Sequence, residues 1–318
     1  MPNRQHINIE KDHENQRIDN FLIGRLRKKI PKVLIYRWIR KGIIKINNKR
    51  ARHTQRLKTD DIVYIPDFIE QQQHTYKISQ TEIDFLESFI IYENEDYLIF
   101  NKPVGIPVHG GTGVGAGLIE KLKQVRPRAK KIELGHRLDK ETSGCIILPK
   151  KHSILREFHK AFRLNEINKT YHAIVHGIWP EKIKMITLPL KYCNKKNIGA
   201  KKVVVDAKTG KRSVTYVKIL KKFNQHTLLE LKPETGRTHQ IRVHLYSHGH
   251  PIVCDKKYGF QNNEKNLSKS GSNRLCLHAT QLKFLEPKTR KQVKFFAPYD
   301  NEWNRFIKSL ELSSYRQQ

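Results

Sequence analysis

The stretch His136-Arg137-Leu138-Asp139-Lys140-Glu141-Thr142-Ser143-Gly144 places a carboxylate, Asp139, among Arg, Lys and His side chains. Neighbouring cationic side chains favour the charged form of a carboxylate, so this acid is placed where a negative charge can take part in a reaction. The whole chain is strongly basic, with 62 Lys and Arg, 30 Asp and Glu and a formal net charge of +32. A charge of that size favours contact with phosphates. The two observations together predict an enzyme that acts on nucleic acid without a metal ion.

The basic residues are spread through the whole chain, and no long amphipathic basic helix stands out. An anionic membrane surface is therefore a weaker candidate partner than nucleic acid. No segment approaches the roughly 18 consecutive apolar residues of a membrane span, and the first residues lack the apolar segment of a signal peptide. The four cysteines are widely spaced without a Cys-x-x-Cys pair, which argues against a zinc site or a disulfide framework. We therefore expect a cytoplasmic protein with free thiols.

The first part of the chain, residues 15–75, is predicted to be a separate small domain. Apolar residues recur at helical spacing over residues 18–26. A second helix is predicted over residues 32–41, because a proline precedes it and a glycine follows it. Short strands are predicted over residues 43–46 and 60–65.

Cationic side chains crowd onto this helix and strand with few acids to compensate them. A solvated charged face is the simplest explanation of such a run. The shortage of acids nevertheless favours RNA binding. The predicted RNA-binding residues are Arg37, Arg40, Lys41, Lys45 and Arg50.

A polar linker is predicted over residues 67–79, and a larger domain over residues 83–310. Two apolar runs separated by Glu93-Asn94-Glu95-Asp96 predict a β-hairpin at the start of this domain. Further helices are predicted over residues 117–125 and 153–162, and further strands over residues 171–176, 213–220 and 227–231. The predicted class is α+β, in which a mixed, mainly antiparallel sheet is flanked by helices.

A second motif, Gly236-Arg237-Thr238-His239-Gln240-Ile241-Arg242-Val243-His244-Leu245, alternates polar and apolar residues in its second half. If this half is a strand, Ile241 and Val243 share one face and Arg242 and His244 share the other. A surface arginine at a strand edge is the simpler interpretation of Arg242. A buried Arg242 paired with Asp139 fits the first motif better, because a carboxylate away from water needs a cationic partner.

Neither a metal ion nor a cofactor is predicted. The histidines of the two motifs lack the i, i+4 spacing of a zinc helix, and Arg237 and Arg242 would repel a metal ion beside them. The glycine-rich loop over residues 109–117 lacks the flanking elements of a nucleotide site, so it is predicted to approach a nucleic-acid backbone. Glu141 is predicted to form a surface ion pair, which leaves Asp139 as the one working carboxylate.

Taken together, residues 136–144 and 236–244 resemble the two signatures of the RluA-type RNA pseudouridine synthases. The segment Lys169-Thr170-Tyr171-His172-Ala173-Ile174-Val175-His176-Gly177 resembles the tyrosine motif of that family. The N-terminal module is similar to an S4 (α-L-like) RNA-binding domain, and the resemblance runs from about Arg17 to Pro298. It implies isomerisation of selected uridines in RNA to pseudouridine, without a metal or cofactor.

The resemblance also implies a role for each site residue. Asp139 is the essential carboxylate, which either attacks C1′ of the ribose or removes the C2′ proton. Tyr171 stacks on the uracil and takes part in the final proton transfer, while Arg242 pairs with Asp139. Ile241 packs beside the base, and Arg137 fills the space that the flipped uridine leaves. The remaining predicted substrate-binding residues are His136 and Arg237.

The S4-like module favours ribosomal RNA, so we expect 23S rRNA or a large-subunit precursor as the substrate. The same reaction on tRNA or another RNA is one alternative, a non-catalytic RNA-binding assembly factor is a second, and a metal-dependent nuclease is a third. The intact set of Asp139, Tyr171 and Arg242 argues against a protein that only binds RNA. We expect a monomer that binds neither DNA nor a membrane.

Overall fold

The chain folds into two units, Met1–Lys77 and Ile78–Gln318. A computed structural model describes residues 4–26, 30–67, 78–110, 117–126, 132–193, 202–260 and 272–315. Most of the predicted linker and of the glycine-rich loop lies outside the described residues.

The first unit carries two helices and a four-stranded antiparallel sheet of order β1-β4-β2-β3. Its elements are β1 (Arg4–Asn8), α1 (Ile18–Leu26), α2 (Lys32–Arg40), β2 (Lys45–Ile46), β3 (Lys49–Arg50) and β4 (Ile62–Pro66). Buried side chains from both helices and from β2 and β4 form one apolar core. The two helices and the strands β2 and β4 lie where the sequence predicts them, whereas β1 is not among the predicted strands.

Local residue chemistry sets the bounds of these elements. Pro31 precedes α2, where its missing N–H costs no helical hydrogen bond. Gly42 follows α2 with φ +69°, a left-handed conformation that glycine adopts without strain. Asn47 and Asn48 have φ values of 48° and 63°, and asparagine is among the residues that tolerate this region in the tight turn between β2 and β3.

The second unit carries the larger sheet with helices around it. Its elements are α3 (Gln80–Glu87), β5 (Ile90–Glu93), β6 (Tyr97–Lys102), α4 (Leu118–Val125), β7 (Ser143–Pro149), α5 (His152–Arg163), β8 (Asn168–His176), β9 (Met185–Ile186), β10 (Leu190–Cys193), β11 (Lys202–Val205), β12 (Thr215–Lys222), β13 (His226–Pro233), α6 (Gln240–Ser247), β14 (Leu277–Leu285), β15 (Gln292–Phe296) and α7 (Asn301–Tyr315).

Nine strands of this unit form one sheet in the order β5-β6-β7-β14-β8-β13-β12-β9, with β15 also paired to β14. Strands β10 and β11 form a separate antiparallel pair. Within the described residues, β7 and β14 are the one parallel pair of the large sheet. The predicted mixed, mainly antiparallel sheet with flanking helices is thus confirmed.

The end of the first motif joins the two halves of this sheet. Gly144 pairs with Ala279 where β7 meets β14, and it has φ +111°. A Cβ atom at Gly144 would lie 2.3 Å from the carbonyl oxygen of Ala279, a distance that no real side chain tolerates. Glycine therefore allows β14 to approach β7 closely, directly after the loop that carries Asp139.

The second motif forms a helix, so its interpretation as a strand is wrong. Helix α6 begins after His239, whose φ of 53° turns the chain into it. All residues from 240 to 245 are buried, because Gln240, Arg242 and His244 find hydrogen-bond partners inside the fold. The alternation of polar and apolar residues therefore does not separate a buried face from an exposed one, as it would in a strand at the surface.

None of the helices in the described part of the chain is long and apolar enough to span a bilayer.

Candidate active site

The loop that carries Asp139 is fixed through its backbone. The backbone carbonyl of Asp139 accepts from the N–H of Thr142 at 3.1 Å, and the Lys140 carbonyl accepts from the N–H of Gly105 at 3.0 Å. The fully buried Lys102 Nζ donates to the same Lys140 carbonyl at 2.9 Å and to two carbonyls of the turn after β6. Burial lowers the pKa of Lys102 to about 7. The backbone of the Asp139 loop is thus held by hydrogen bonds from Lys102 and from the turn after β6.

Helix α6 brings Arg242 to Asp139, as predicted. The Nη1 atom of Arg242 lies 3.3 Å from Oδ2 of Asp139. Its other two donors go to Asp255, with Nε donating to Oδ2 at 2.8 Å and Nη2 donating to Oδ1 at 2.7 Å. Burial alone would lower the pKa of the Arg242 guanidinium, but the hydrogen bonds and charge of Asp255, with the charge of Asp139, raise it. Arg242 is therefore a fixed cation between two carboxylates.

Asp255 also belongs to the site, although the sequence did not predict it. Its side chain is fully buried, and beyond Arg242 it accepts from the backbone N–H groups of Lys257 and Tyr258 at 2.9 and 3.0 Å. The available signal is an acid at the end of the apolar run Pro251-Ile252-Val253-Cys254, because a buried carboxylate requires a partner. Asp255 holds the guanidinium that in turn contacts Asp139.

His239 completes the surroundings of Asp139. Its Nε2 atom lies 3.7 Å from Oδ2 of Asp139, and its Nδ1 atom is 2.8 Å from the hydroxyl of Tyr258. Burial lowers the pKa of His239, which favours the neutral ring. The Arg242 guanidinium lies over the ring of Tyr258 at 5.2 Å.

Tyr171 lies on β8 and lines the same cleft as Asp139, with Ile241 and Leu277 as apolar neighbours. The cleft has a volume of about 390 Å³. Burial, reinforced by the negative charge of Asp139, raises the pKa of the Tyr171 hydroxyl, so it stays protonated near neutral pH. Lys169, which also lines the cleft and was not predicted, has its pKa lowered by burial.

The predicted substrate-binding residues Arg137, Ile241, His136 and Arg237 all line this cleft. Arg137 is exposed, and Ile241 is buried. His136 also has a structural function, since its Nε2 accepts from the N–H of Ile147 at 3.1 Å and burial lowers its pKa to about 3. The Nε of Arg237 donates to the carbonyl of Arg212 at 3.3 Å.

The five predicted RNA-binding cations lie in the first unit, not in the cleft. Arg37, Arg40, Lys41 and Arg50 are exposed, and Lys45 is partly buried. The Arg50 guanidinium donates to the carbonyl of Arg40. Within the described residues, none of the five forms a salt bridge with a carboxylate.

The described residues contain no cluster of three His, Cys, Asp or Glu side chains that could hold a metal ion. The exposed Glu141 lies 3.9 Å from Lys140, which confirms the predicted surface ion pair.

Comparison with known proteins adds to this geometry. A family model described as RNA pseudouridylate synthase matches residues 96–247. The chain is 42% identical over 308 residues to "Ribosomal large subunit pseudouridine synthase C" of Buchnera aphidicola subsp. Baizongia pistaciae, covering 96% of each chain. It is 40% identical to the protein of the same name from Haemophilus influenzae, over 96% of this chain and 95% of the relative.

A solved structure titled "Human RNA Pseudouridylate Synthase Domain Containing 4" has the same fold, with a TM-score of 0.60 and 24% identity over 73% of this chain and 96% of that chain. Relatives of this identity and coverage, together with the matching family model, establish the family. The chain therefore belongs to the RluA-type family of RNA pseudouridylate synthases.

Proposed function

We propose that this protein isomerises selected uridines of 23S ribosomal RNA to pseudouridine, with Asp139 as the single catalytic carboxylate. The observation that carries the proposal is the position of Asp139 in a cleft beside Tyr171, with its carboxylate contacted by Arg242. Glu141, the next acid in the chain, is half-exposed and paired with Lys140. The shared name of the curated relatives supports large-subunit ribosomal RNA as the substrate.

The reaction breaks the bond between uracil N1 and ribose C1′, turns the base and joins uracil C5 to C1′. A proton leaves C5 and another is gained at N1, so nothing is oxidised or reduced. Asp139 acts either as the nucleophile at C1′ or as the base that removes the C2′ proton. Arg242 orients the Asp139 carboxylate, because Asp255 fixes the Arg242 guanidinium through two further hydrogen bonds.

Tyr171 and Ile241 would hold the uracil while it is detached. The cleft is within the size range of sites that enclose one small ligand, about 300–1,000 Å³, which suits a single flipped base. Tyr171 offers a ring for stacking and, because its pKa is raised, a protonated hydroxyl for the final proton transfer. His136 and Arg237 line the walls of the same cleft.

A uridine can reach Asp139 only after it leaves its stack, which costs a few kcal/mol. Arg137 is exposed at the cleft and would fill the vacated space. Phosphate contacts elsewhere on the protein would offset the cost of flipping.

We further propose that residues 15–75 form an S4 RNA-binding domain and that residues 83–310 form the catalytic domain. The cations of the first unit would contact phosphates, namely the exposed Arg37, Arg40, Lys41 and Arg50 and the partly buried Lys45. The protein would work in the cytoplasm as a monomer on RNA rather than DNA, without a metal or cofactor.

The test is to incubate the protein with a 23S rRNA transcript and to map pseudouridine chemically. The wild type should form pseudouridine at discrete sites, and Asp139→Asn should form none while keeping its affinity for RNA. Glu141→Gln is the matched control, because it removes an exposed carboxylate two positions away and should keep activity.

Three results would contradict parts of this proposal separately. Equal product from the wild type and Asp139→Asn would remove Asp139 from the chemistry. Product on a tRNA transcript alone would contradict the substrate. Absence of product from the wild type on both RNAs would contradict the reaction.

A further inference from the structure

A second groove lies beside the catalytic cleft and shares Arg242 with it. We call it the α6 groove, because one wall is the exposed side of α6 and the others come from β11 and residues 254–260. Its volume is about 1130 Å³. Its lining includes three lysines and three aromatic residues, namely Lys202, Lys256, Lys257, Tyr246, Tyr258 and Phe260.

The charge of the α6 groove is positive. Lys202, Lys256 and Lys257 line it, and Glu141 is the one carboxylate among its described lining residues. Lys256 is exposed, whereas Lys257 is partly buried and has its pKa lowered by burial and by the charge of Arg242. A groove with this excess of cations attracts a polyanion. It binds less well a protein surface that has few acidic residues.

Two aromatic rings stand open to solvent in the same groove. Tyr246 is 48% exposed and Phe260 is 42% exposed, although large aromatic side chains usually bury most of their surface. Tyr258 lies between them in the chain and is buried, and its ring contacts that of Tyr246 at 6.4 Å. Exposed rings interleaved with lysines are the combination by which proteins hold single-stranded nucleic acid.

The size and position of the groove restrict its occupant further. It is larger than the roughly 300–1,000 Å³ of typical small-molecule pockets, and it meets the catalytic cleft at Arg242. Because Arg242 lines both, the groove adjoins the cleft that would hold the target base. A second copy of this chain fits poorly, because it would bring another strongly basic surface against these lysines.

We propose that the α6 groove binds the single-stranded RNA that flanks the target uridine. Neighbouring bases stack on Tyr246 and Phe260, and the phosphates between them contact Lys202, Lys256 and Lys257. This inference rests on the proposed function for its choice of RNA. The groove would be a second RNA-binding surface, distinct from the cleft, and it would favour target uridines whose flanking nucleotides are unpaired.

The probe is a fluorescently labelled oligouridylate of about a dozen nucleotides, which is long enough for one binding groove. Its affinity for the full chain is measured by anisotropy. Tyr246→Ala should weaken binding about 5- to 100-fold, the usual effect of removing one stacking ring. Tyr246→Phe should restore affinity, because it keeps the ring. Phe296→Ala is the matched control, since Phe296 is 52% exposed beside Lys294 but outside the groove.

The location of the bound strand is tested with 4-thiouridine in the same oligonucleotide. Cross-links to peptides that contain Tyr246 or Phe260 are expected. Cross-links found only in residues 4–67 would overturn the inference, as would an affinity of Tyr246→Ala equal to that of Phe296→Ala. A change of oligomeric state in Tyr246→Ala without loss of oligouridylate affinity would also overturn it, and would assign the groove to contacts between copies.

Oligouridylate binding needs no turnover, so this experiment can be interpreted whatever the outcome of pseudouridine mapping. Loss of binding in Tyr246→Ala supports the groove even if the wild type makes no pseudouridine, in which case the proposed reaction alone fails.

Discussion

The cations of the two units differ in how the fold uses them. In the catalytic cleft, Arg242 is buried and shared between Asp255 and Asp139 at distances of 2.7 to 3.3 Å. In the first unit, Arg37, Arg40 and Lys41 are exposed on and just after α2. A buried charge is fixed in one geometry and is costly to leave unpaired, whereas an exposed one is screened by salt and replaceable. The buried charges are therefore suited to orient groups for chemistry, and we propose that the exposed charges of the first unit contribute affinity for RNA.

The largest effect expected from this comparison is that of Asp255→Ala. It leaves the buried Arg242 with the single contact to Asp139 in place of three carboxylate contacts, so we expect a loss of about 3–5 kcal/mol in the free energy of unfolding. Pseudouridine formation should fall about 100-fold in the remaining folded protein, because Asp139 loses its orientation. Urea denaturation and single-turnover assays measure the two quantities.

The control for Asp255→Ala is Glu181→Ala, which removes an exposed partner of Lys222. Its effect should be within about 0.5 kcal/mol, as is usual for surface ion pairs. Similar losses of unfolding free energy in the two variants would contradict the difference proposed between buried and exposed charges.

Tyr171→Phe separates the two functions proposed for Tyr171, base stacking and proton transfer. The ring is kept, so affinity for RNA should be unchanged, but the loss of the hydroxyl should lower kcat about 100-fold if it transfers a proton. Tyr171→Ala should lower both kcat and affinity, because it also removes the stacking surface. An unchanged kcat in Tyr171→Phe would assign the residue to base stacking alone.

The sequence is sufficient to predict elements whose bounds are local. Helix α2 begins after Pro31 and ends before Gly42, and these two residues predict its length without knowledge of the rest of the fold. The hairpin of β5 and β6 follows in the same way from two apolar runs around a polar turn. The motifs that carry Asp139, Tyr171 and Arg242 also predict that these residues meet in one cleft.

Three features could not be predicted because they depend on distant contacts. Residues 240–245 of helix α6 are all buried, polar ones included, so the sequence lacks the exposed polar face that marks a helix, and its alternation indicated a strand. Asp255 lies thirteen positions after Arg242 in an irregular segment, and only the folded chain shows that it is the main partner of the guanidinium. Strand β7 is buried throughout, and such an apolar run does not distinguish strand from helix.

Acid should destabilise the second unit through a buried histidine. His226 is buried in β13, where its Nε2 has no hydrogen-bond partner within the described residues, and burial with the charge of His176 lowers its pKa from 6.5 to about 4. Between those values the unfolded chain binds more protons, so the unfolding free energy falls as the pH is lowered. At pH 5 the loss is about 2 kcal/mol.

His226→Leu should remove this part of the pH dependence, because leucine fills the site and cannot be protonated. The measurement is urea denaturation of the wild type and the variant at about pH 7.5 and about pH 5. His53→Gln, in the exposed part of the first unit, is the control and should keep the wild-type dependence. A His226→Leu protein as acid-sensitive as the wild type would assign the effect to other buried histidines, such as His244 and His278, whose pKa values burial also lowers to about 4.

The smallest effect is expected for Arg40→Ala, because an exposed cation contributes mainly through counterion release. Affinity for a 23S rRNA transcript should fall several-fold at low salt, and the slope of log affinity against log salt concentration should decrease by about 1. Stability and single-turnover rate should be unchanged, since the Arg40 side chain is exposed on α2 and the residues that line the cleft belong to the second unit. Arg305→Ala removes an exposed arginine of α7 as the matched control. If both variants reduce the slope equally, RNA affinity comes from net charge alone, and the first unit loses its special function in binding.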